Sequence, residues 1–199
     1  MDFITLIKDG GFIMVPLLIC SLIIWTVAIE RWWFLRSIDE QFNRILEKSV
    51  ELIKENKLHE VTGLAHGVHP VVSKPFSSIF EGKEKDFSSW QIVLDRRLSE
   101  SASHMRKFLW LLGTIGTSAP FIGLFGTVVG IIKSFESIST SGKSGFTVVA
   151  AGLSEALIAT ASGIIVAVFA VILYNYFQVR LREINIKFRN SLEDLRELL

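Results

Sequence analysis

A single carboxylate, Glu155, interrupts an apolar stretch that otherwise carries no charge from Ser144 to Val179. A charged side chain at bilayer depth costs at least about 2.5 kcal/mol unless it is protonated, paired or wet, and such residues mark ion and proton paths. Glu155 therefore reads as a group that takes up and releases a proton. The plainer alternative is a residue at the outer end of its span that simply meets water. No basic partner is expected for it from the second or third apolar run. Ser162, seven positions on, falls on nearly the same helical face, whereas Thr160, five positions on, points about 140° away, so Glu155 and Thr160 address different neighbours.

The preceding apolar run has its own polar pattern. Gly113, Gly116, Pro120, Gly123, Thr127 and Gly130 recur every three or four residues along one face with almost no bulk. Small residues at this spacing let two helices approach closely, which would explain the stripe without any further role. Thr114, Thr117, Ser118 and Thr127 add hydroxyls that suit a helix lining a wet or ion-conducting interface, although threonine also bonds the backbone of its own helix. Both readings of this face stay open.

Other chemistry finds little support. Gly142, Lys143 and Ser144 spell the end of a phosphate-binding loop, but Ser137 stands where its first glycine should be and no strand precedes it, so nucleotide binding is not expected. His66 and His69 have a spacing compatible with a metal, yet Gly67 and Pro70 flank them and no cysteine or carboxylate cluster accompanies them, so a solvated turn is expected and no metal. No hydrolase triad or zinc-protease motif occurs; the chain is not expected to be an enzyme or to carry a cofactor.

These residues must be positioned by membrane-spanning helices. Half of the 199 residues are hydrophobic and the mean hydropathy is positive, too apolar for a soluble domain of this length. Basic and acidic residues nearly cancel, 21 against 20, which gives no reason to expect a nucleic-acid partner. The charge-free run from Gly10 to Ile29 covers 20 residues and contains the only cysteine, Cys20. It is longer than a signal-peptide core and lacks a clear cleavage site, so it reads as an uncleaved span. The expected organisation is an extracytoplasmic N-terminus (1–9), a first span (10–29), a cytoplasmic helical segment (30–107), a second span (108–132), an external turn (133–146), a third span (147–179) and a cytoplasmic C-terminal helix (180–199).

Orientation follows the distribution of lysine and arginine. Thirteen of the 21 basic residues lie between Glu30 and Lys107 and five more in the C-terminal tail; the N-terminus is expected outside and the C-terminus in the cytoplasm. Apolar periodicity in Phe34, Ile38, Phe42, Leu46, Val50 and Ile53, in Leu94, Leu98, Ala102, Met105 and Leu109, and in Leu181, Ile184, Phe188, Leu192, Leu195 and Leu199 predicts that all three spans continue into the cytoplasm as helices. The fold class is thus all-α integral membrane, with three spans and long helical extensions.

Three segments resemble the MotA/TolQ/ExbB family of proton-channel subunits. GTIGTSAPFIGLFGTVVG (113–130) is similar to the second span of TolQ and ExbB, GLSEALIATASGIIVAVFAVILYN (152–175) to the third, and GGFIMVPLLICSLIIWTVAIERWWFLR (10–36) to the first span and its Glu-Arg exit. Three spans fit the TolQ/ExbB branch, with ExbB slightly favoured. The resemblance implies a homopentameric ring in a bacterial inner membrane, around two copies of a single-span ExbD/TolR-like partner whose intramembrane aspartate carries protons, and a TonB/TolA-like effector. It matches Glu155, Thr127 and Thr160 to the polar residues of the pore-lining spans, beside Ser162 and Thr117 from the residue reading. The work powered would be uptake at the outer membrane, envelope integrity during division, or gliding; a passive membrane scaffold is the alternative of another class. About 2.3 kcal/mol per charge across 100 mV makes several protons sufficient for a mechanical step. Ala151 and Phe169 stand where many members carry proline, and Lys133 adds a charge.

Overall fold

The computed structural model describes residues 11–81, 86–141 and 146–199. Among them the chain is helical throughout, with six helices and no strand: α1 Met14–Lys54, α2 Leu58–Gly63, α3 Pro70–Glu81, α4 Phe87–Met105, α5 Leu109–Ser141 and α6 Phe146–Glu197. Three helical segments, Met14–Lys54, Leu109–Ser139 and Gly152–Glu197, are long and apolar enough to cross a membrane. In hydrocarbon each backbone N–H and C=O must find its partner within the segment, which a helix alone provides here. The chain divides into two compact units, Met1–Ala28 with Phe108–Asn175, and Ile29–Lys107 with Tyr176–Leu199.

In the first unit α5 and α6 run antiparallel, as the descending series of contacts shows: Gly113 faces Tyr174, Gly116 faces Val171, Gly123 faces Thr160, and Gly130 faces Ala156 and Gly152. The start of α1 runs parallel to α6, with Trp25 and Phe169 rings 6.4 Å apart. The expected turn at 133–146 is largely helix, because α5 continues to Ser141. The segment bearing Gly142, Lys143 and Ser144 lies outside the described residues.

The second unit is built on apolar stripes. Leu35, Ile38, Phe42 and Ile45 of α1 are buried, as are Trp90, Leu94, Leu98 and Met105 of α4 and Leu181, Ile184, Phe188, Leu192 and Leu195 of α6. The Phe42 and Phe188 rings stack at 3.8 Å between centroids. Asp39 accepts from Arg180 at 3.0 Å and Lys187 at 2.6 Å, and Arg189 pairs with Asp95. Arg31, only 3% exposed, pairs with Glu30 and donates to the Met105 carbonyl at 3.3 Å.

The helical extension of α1 stands, with its buried face one position off the periodic line, and the extension of the second span needs correction. On α1 the buried line is shifted: Leu46 and Val50 are half-buried while Ile45 and Ser49 face the core, the apolar face being wide enough to read in either register. The second span does not continue unbroken from α4. Arg106–Phe108 form a turn, and Phe108 takes a left-handed φ of 68°, a conformation that ends a right-handed helix. At the other end of α1, Asn56 (φ 61°) closes the helix as Lys57 N–H bonds the Leu52 carbonyl at 2.9 Å.

His69 caps α3, its Nδ1 accepting from Val71 N–H at 3.2 Å while its own N–H donates to Gln41 Oε1 at 3.0 Å. With Pro70 at the first helical position this is a helix start. No cluster of three or more metal-ligating side chains occurs among the described residues.

Candidate functional site

Close approach of α5 and α6 creates the setting. A Cβ on Gly116 would meet Val171 Cγ2 at 2.7 Å, one on Gly123 the Thr160 Cα at 2.9 Å, one on Gly130 the Ala156 Cβ at 2.7 Å, and one on Gly163 the Ala119 carbonyl at 2.6 Å. At Gly123, Gly130 and Gly163 backbone atoms lie within 2.9 Å of the added carbon, so only glycine fits there, whereas at Gly116 the close atom is a valine methyl. The seam also uses Gly126, whose Cβ would lie 2.8 Å from that of Ala159, and buried Ala119, Ala156, Ala159 and Ala170. Gly113 sits at its end in ordinary contact with the Tyr174 ring. Pro120 and Thr127 are half-buried at its edge instead of at its centre, since the midline passes through 116, 119, 123, 126 and 130. Gly126 and Ala119 belonged to the same small-residue pattern and could have been read from it.

This register decides what surrounds Glu155. With Gly130 against Gly152 and Ala156, the next turn of α5 brings Lys133 level with Glu155, and Lys133 Nζ lies 3.5 Å from Glu155 Oε1. The expectation of no basic partner is therefore corrected: the two are 22 positions apart in sequence, and only the hairpin register joins them. The carboxylate also lies directly over Gly11, where any side chain would collide with Oε1 and where φ is +65°. Three elements thus meet at Glu155: the residue itself on α6, Lys133 on α5 and Gly11 just before α1. Gly11 is legible as half of a Gly-Gly pair preceding a span, Lys133 only as a charge at a span end.

The remaining candidates do not gather into one cluster. Thr160 donates to the Gly123 carbonyl at 2.8 Å, a hydrogen bond across the seam. Thr127 donates to its own helix at Leu124 O, 2.7 Å, and exposed Thr117 to Gly113 O and Thr114 O at 3.2 and 3.0 Å. Both hydroxyls keep acceptor capacity while their protons are held by the backbone. Ser162 borders an apolar cavity of about 220 Å³ between α6 and the start of α1, with Met14, Leu17, Ser21, Trp25 and Phe169. Ser162 thus lies on the α1 side of α6 and Thr160 on the α5 side, while Glu155 is reached both by Gly11, just before α1, and by Lys133 of α5.

An all-helical chain with three such helices and a carboxylate set into the third defines a multi-pass integral membrane protein. Residues 43–190 match the MotA/TolQ/ExbB proton channel family. The chain belongs to that family. It is 36% identical over 172 residues to the biopolymer transport protein ExbB of Pseudomonas putida, covering 83% of this chain and 52% of that protein. It is 31% identical to the putative biopolymer transport protein ExbB-like 1 of Synechocystis, covering 83% and 66%. It is 30% identical to the Tol-Pal system protein TolQ of Pseudomonas aeruginosa, covering 84% and 78%. The chain therefore spans about half the length of the first relative, 52%, and just under two thirds of the second, 66%.

Proposed function

We propose that this chain is the proton-channel subunit of an inner-membrane motor that couples the proton motive force to work at the outer membrane, as an ExbB-type energiser of transport. The observation that carries the reading is Glu155, the only charged side chain between Phe146 and Val179, paired with Lys133 at 3.5 Å in a chain of a proton channel family. Glu155 binds and releases the proton. Thr127 and Thr160, with Ser162 and Thr117, line the polar path, and the glycines of α5 hold the hairpin together. The N-terminus faces outward and the C-terminus the cytoplasm, in agreement with the lysine and arginine distribution. The working unit is a homopentamer around a single-span ExbD/TolR-like partner with an intramembrane aspartate, delivering work to a TonB/TolA-like effector.

A TolQ-type role in envelope integrity is the second reading, supported by the similarity to the Pseudomonas aeruginosa TolQ at 30% identity. Cells lacking the native chain and supplied with Glu155→Gln decide the first point. Work dependent on the proton motive force should disappear while protein level and co-purification of the partner stay unchanged. Full activity in that variant would remove Glu155 from the mechanism. Loss of receptor-mediated uptake identifies the ExbB role, and leakage of periplasmic contents the TolQ role. A passive scaffold would continue to work after a protonophore collapses the gradient.

A further inference from the structure

In the second unit a groove of about 440 Å³ opens between the stretch Trp32–Glu40 of α1 and the stretch Tyr176–Glu183 of α6. Its level is set by sequence. The charge-free run of α1 ends at Ile29, and the first charge of α6 after Glu155 is Arg180, so the groove begins where both helices leave hydrocarbon. Trp32 and Tyr176 stand at this level, 47% and 52% exposed. Aromatic side chains with one polar end favour the headgroup layer. An occupant must therefore be apolar at one end and polar at the other.

The polar end is neither basic nor acidic alone. Arg36 and Arg180 supply two guanidinium groups, and Asp39, Glu40 and Glu183 three carboxylates. They are interleaved: Arg36 pairs with Glu40 at 2.9 Å, and Arg180 with Asp39 at 3.0 Å and Glu183 at 3.2 Å. Lys187 also pairs with Asp39, at 2.6 Å, so the charges balance, and an anionic headgroup that drew the arginines to its phosphate would leave Glu40 and Glu183 without a cation in exchange. A choline headgroup offers a cation without N–H donors. A phosphoethanolamine headgroup offers phosphate oxygens to the planar guanidinium forks and three ammonium N–H groups to the carboxylates. The Arg36 guanidinium also lies 5.7 Å from the Trp32 ring, which ties the polar end of the groove to its aromatic end.

We propose that this groove is a phospholipid site selective for phosphatidylethanolamine, with Arg36 and Arg180 holding the phosphate, Glu40 and Glu183 the ammonium, and Trp32 and Tyr176 the start of the acyl chains. The site requires a membrane-embedded chain and nothing of the proton path.

Native mass spectrometry of the purified full-length protein in detergent, titrated with dioleoyl phosphatidylethanolamine, phosphatidylglycerol or phosphatidylcholine, tests it. Phosphatidylethanolamine should bind at least tenfold more tightly than either competitor. Arg36→Gln and Glu183→Gln alter side chains that are 65% and 59% exposed and outside the buried stripes; each should lower that preference severalfold, and together they should abolish it. Equal affinities, a preference for phosphatidylglycerol, or a preference unchanged in the double variant would each overturn the proposal. So would a cysteine in Arg36→Cys that crosslinks to a second copy while the wild type retains no lipid. The wild-type ranking of the three lipids stands as a test even if a variant fails to accumulate.

Discussion

Adding one methyl group at Gly163 should prise α5 and α6 apart. A Cβ there would sit 2.6 Å from the Ala119 carbonyl oxygen, 3.1 Å from Gly123 Cα and 3.2 Å from Gly123 N. All three are backbone atoms, so no rotamer change relieves the clash. Reaching ordinary contact at 3.4 Å requires a local separation of 0.8 Å (3.4 − 2.6). The Thr160 hydroxyl bond to Gly123 O, one turn away at 2.8 Å, would stretch toward 3.6 Å (2.8 + 0.8), outside hydrogen-bond range. Overpacking costs about 1–3 kcal/mol and a lost interhelical bond in a membrane about 0.6 kcal/mol, so Gly163→Ala should destabilise by about 2–4 kcal/mol. Gly63→Ala is the control: it is exposed at the end of α2, with nothing within 4 Å of the added carbon, and should be neutral or gain up to about 1 kcal/mol of helix propensity. The assay is SDS-induced unfolding of the full chain from mild detergent, followed by circular dichroism. A double-mutant cycle adds Thr160→Val, whose effect should vanish in the Gly163→Ala background because the bond is already broken. Wild-type stability in Gly163→Ala, or full additivity in the cycle, would refute the reasoning.

Gly11→Ala forces a side chain into a left-handed position beneath Glu155 and should depress gradient-driven activity to the level of Glu155→Gln, whereas Phe12→Ala, 77% exposed, should retain it in the same cell assay. Phe188→Ala removes half of the buried stack with Phe42 and should cost about 3–5 kcal/mol in SDS unfolding, against less than about 0.5 kcal/mol for exposed Ile186→Ala. The Ser88 and Ser89 hydroxyls hold the Asp86 carboxyl below its ordinary value of 3.8. Its folded value lies under its unfolded one, so its support of α4 is complete above that ordinary value and is lost as pH falls through the folded value. Amide exchange in the first turn of α4 should therefore quicken in acid relative to its intrinsic rate, and Asp86→Asn should remove that acid-specific step.

How much of this could be read beforehand depends on what each feature needed. The spans and Glu155 are properties of single segments, and an uninterrupted apolar run states them directly. The stripe of α6 from Leu181 to Leu195 was legible because its flanks are polar apart from Ile186, which leaves one continuous apolar face. On α1 the neighbours Phe34 and Leu35, and Ile45 and Leu46, are apolar in both registers, and only the tertiary packing, which buries Leu35 and Ile45, selects between them. The environment of Glu155 was hidden for a different reason. Its partner Lys133 follows from the stagger of one helix against another, a quantity that the separate patterns of two helices do not contain. The break at Phe108 was equally hidden, since phenylalanine carries no signal for positive φ.

The seam between α5 and α6 is mostly glycine and alanine, with short Val171 and Thr160 against its glycines and Tyr174 at its end, so few of its side chains can rotate. Bringing such surfaces together sacrifices little side-chain entropy, and by the same token leaves the seam little internal play. In the proposed mechanism, a push delivered at Glu155 would find few side chains there that could turn into a new well. It would displace both helices together, so the hairpin would behave as one stiff plank, and any compliance would reside in what borders it.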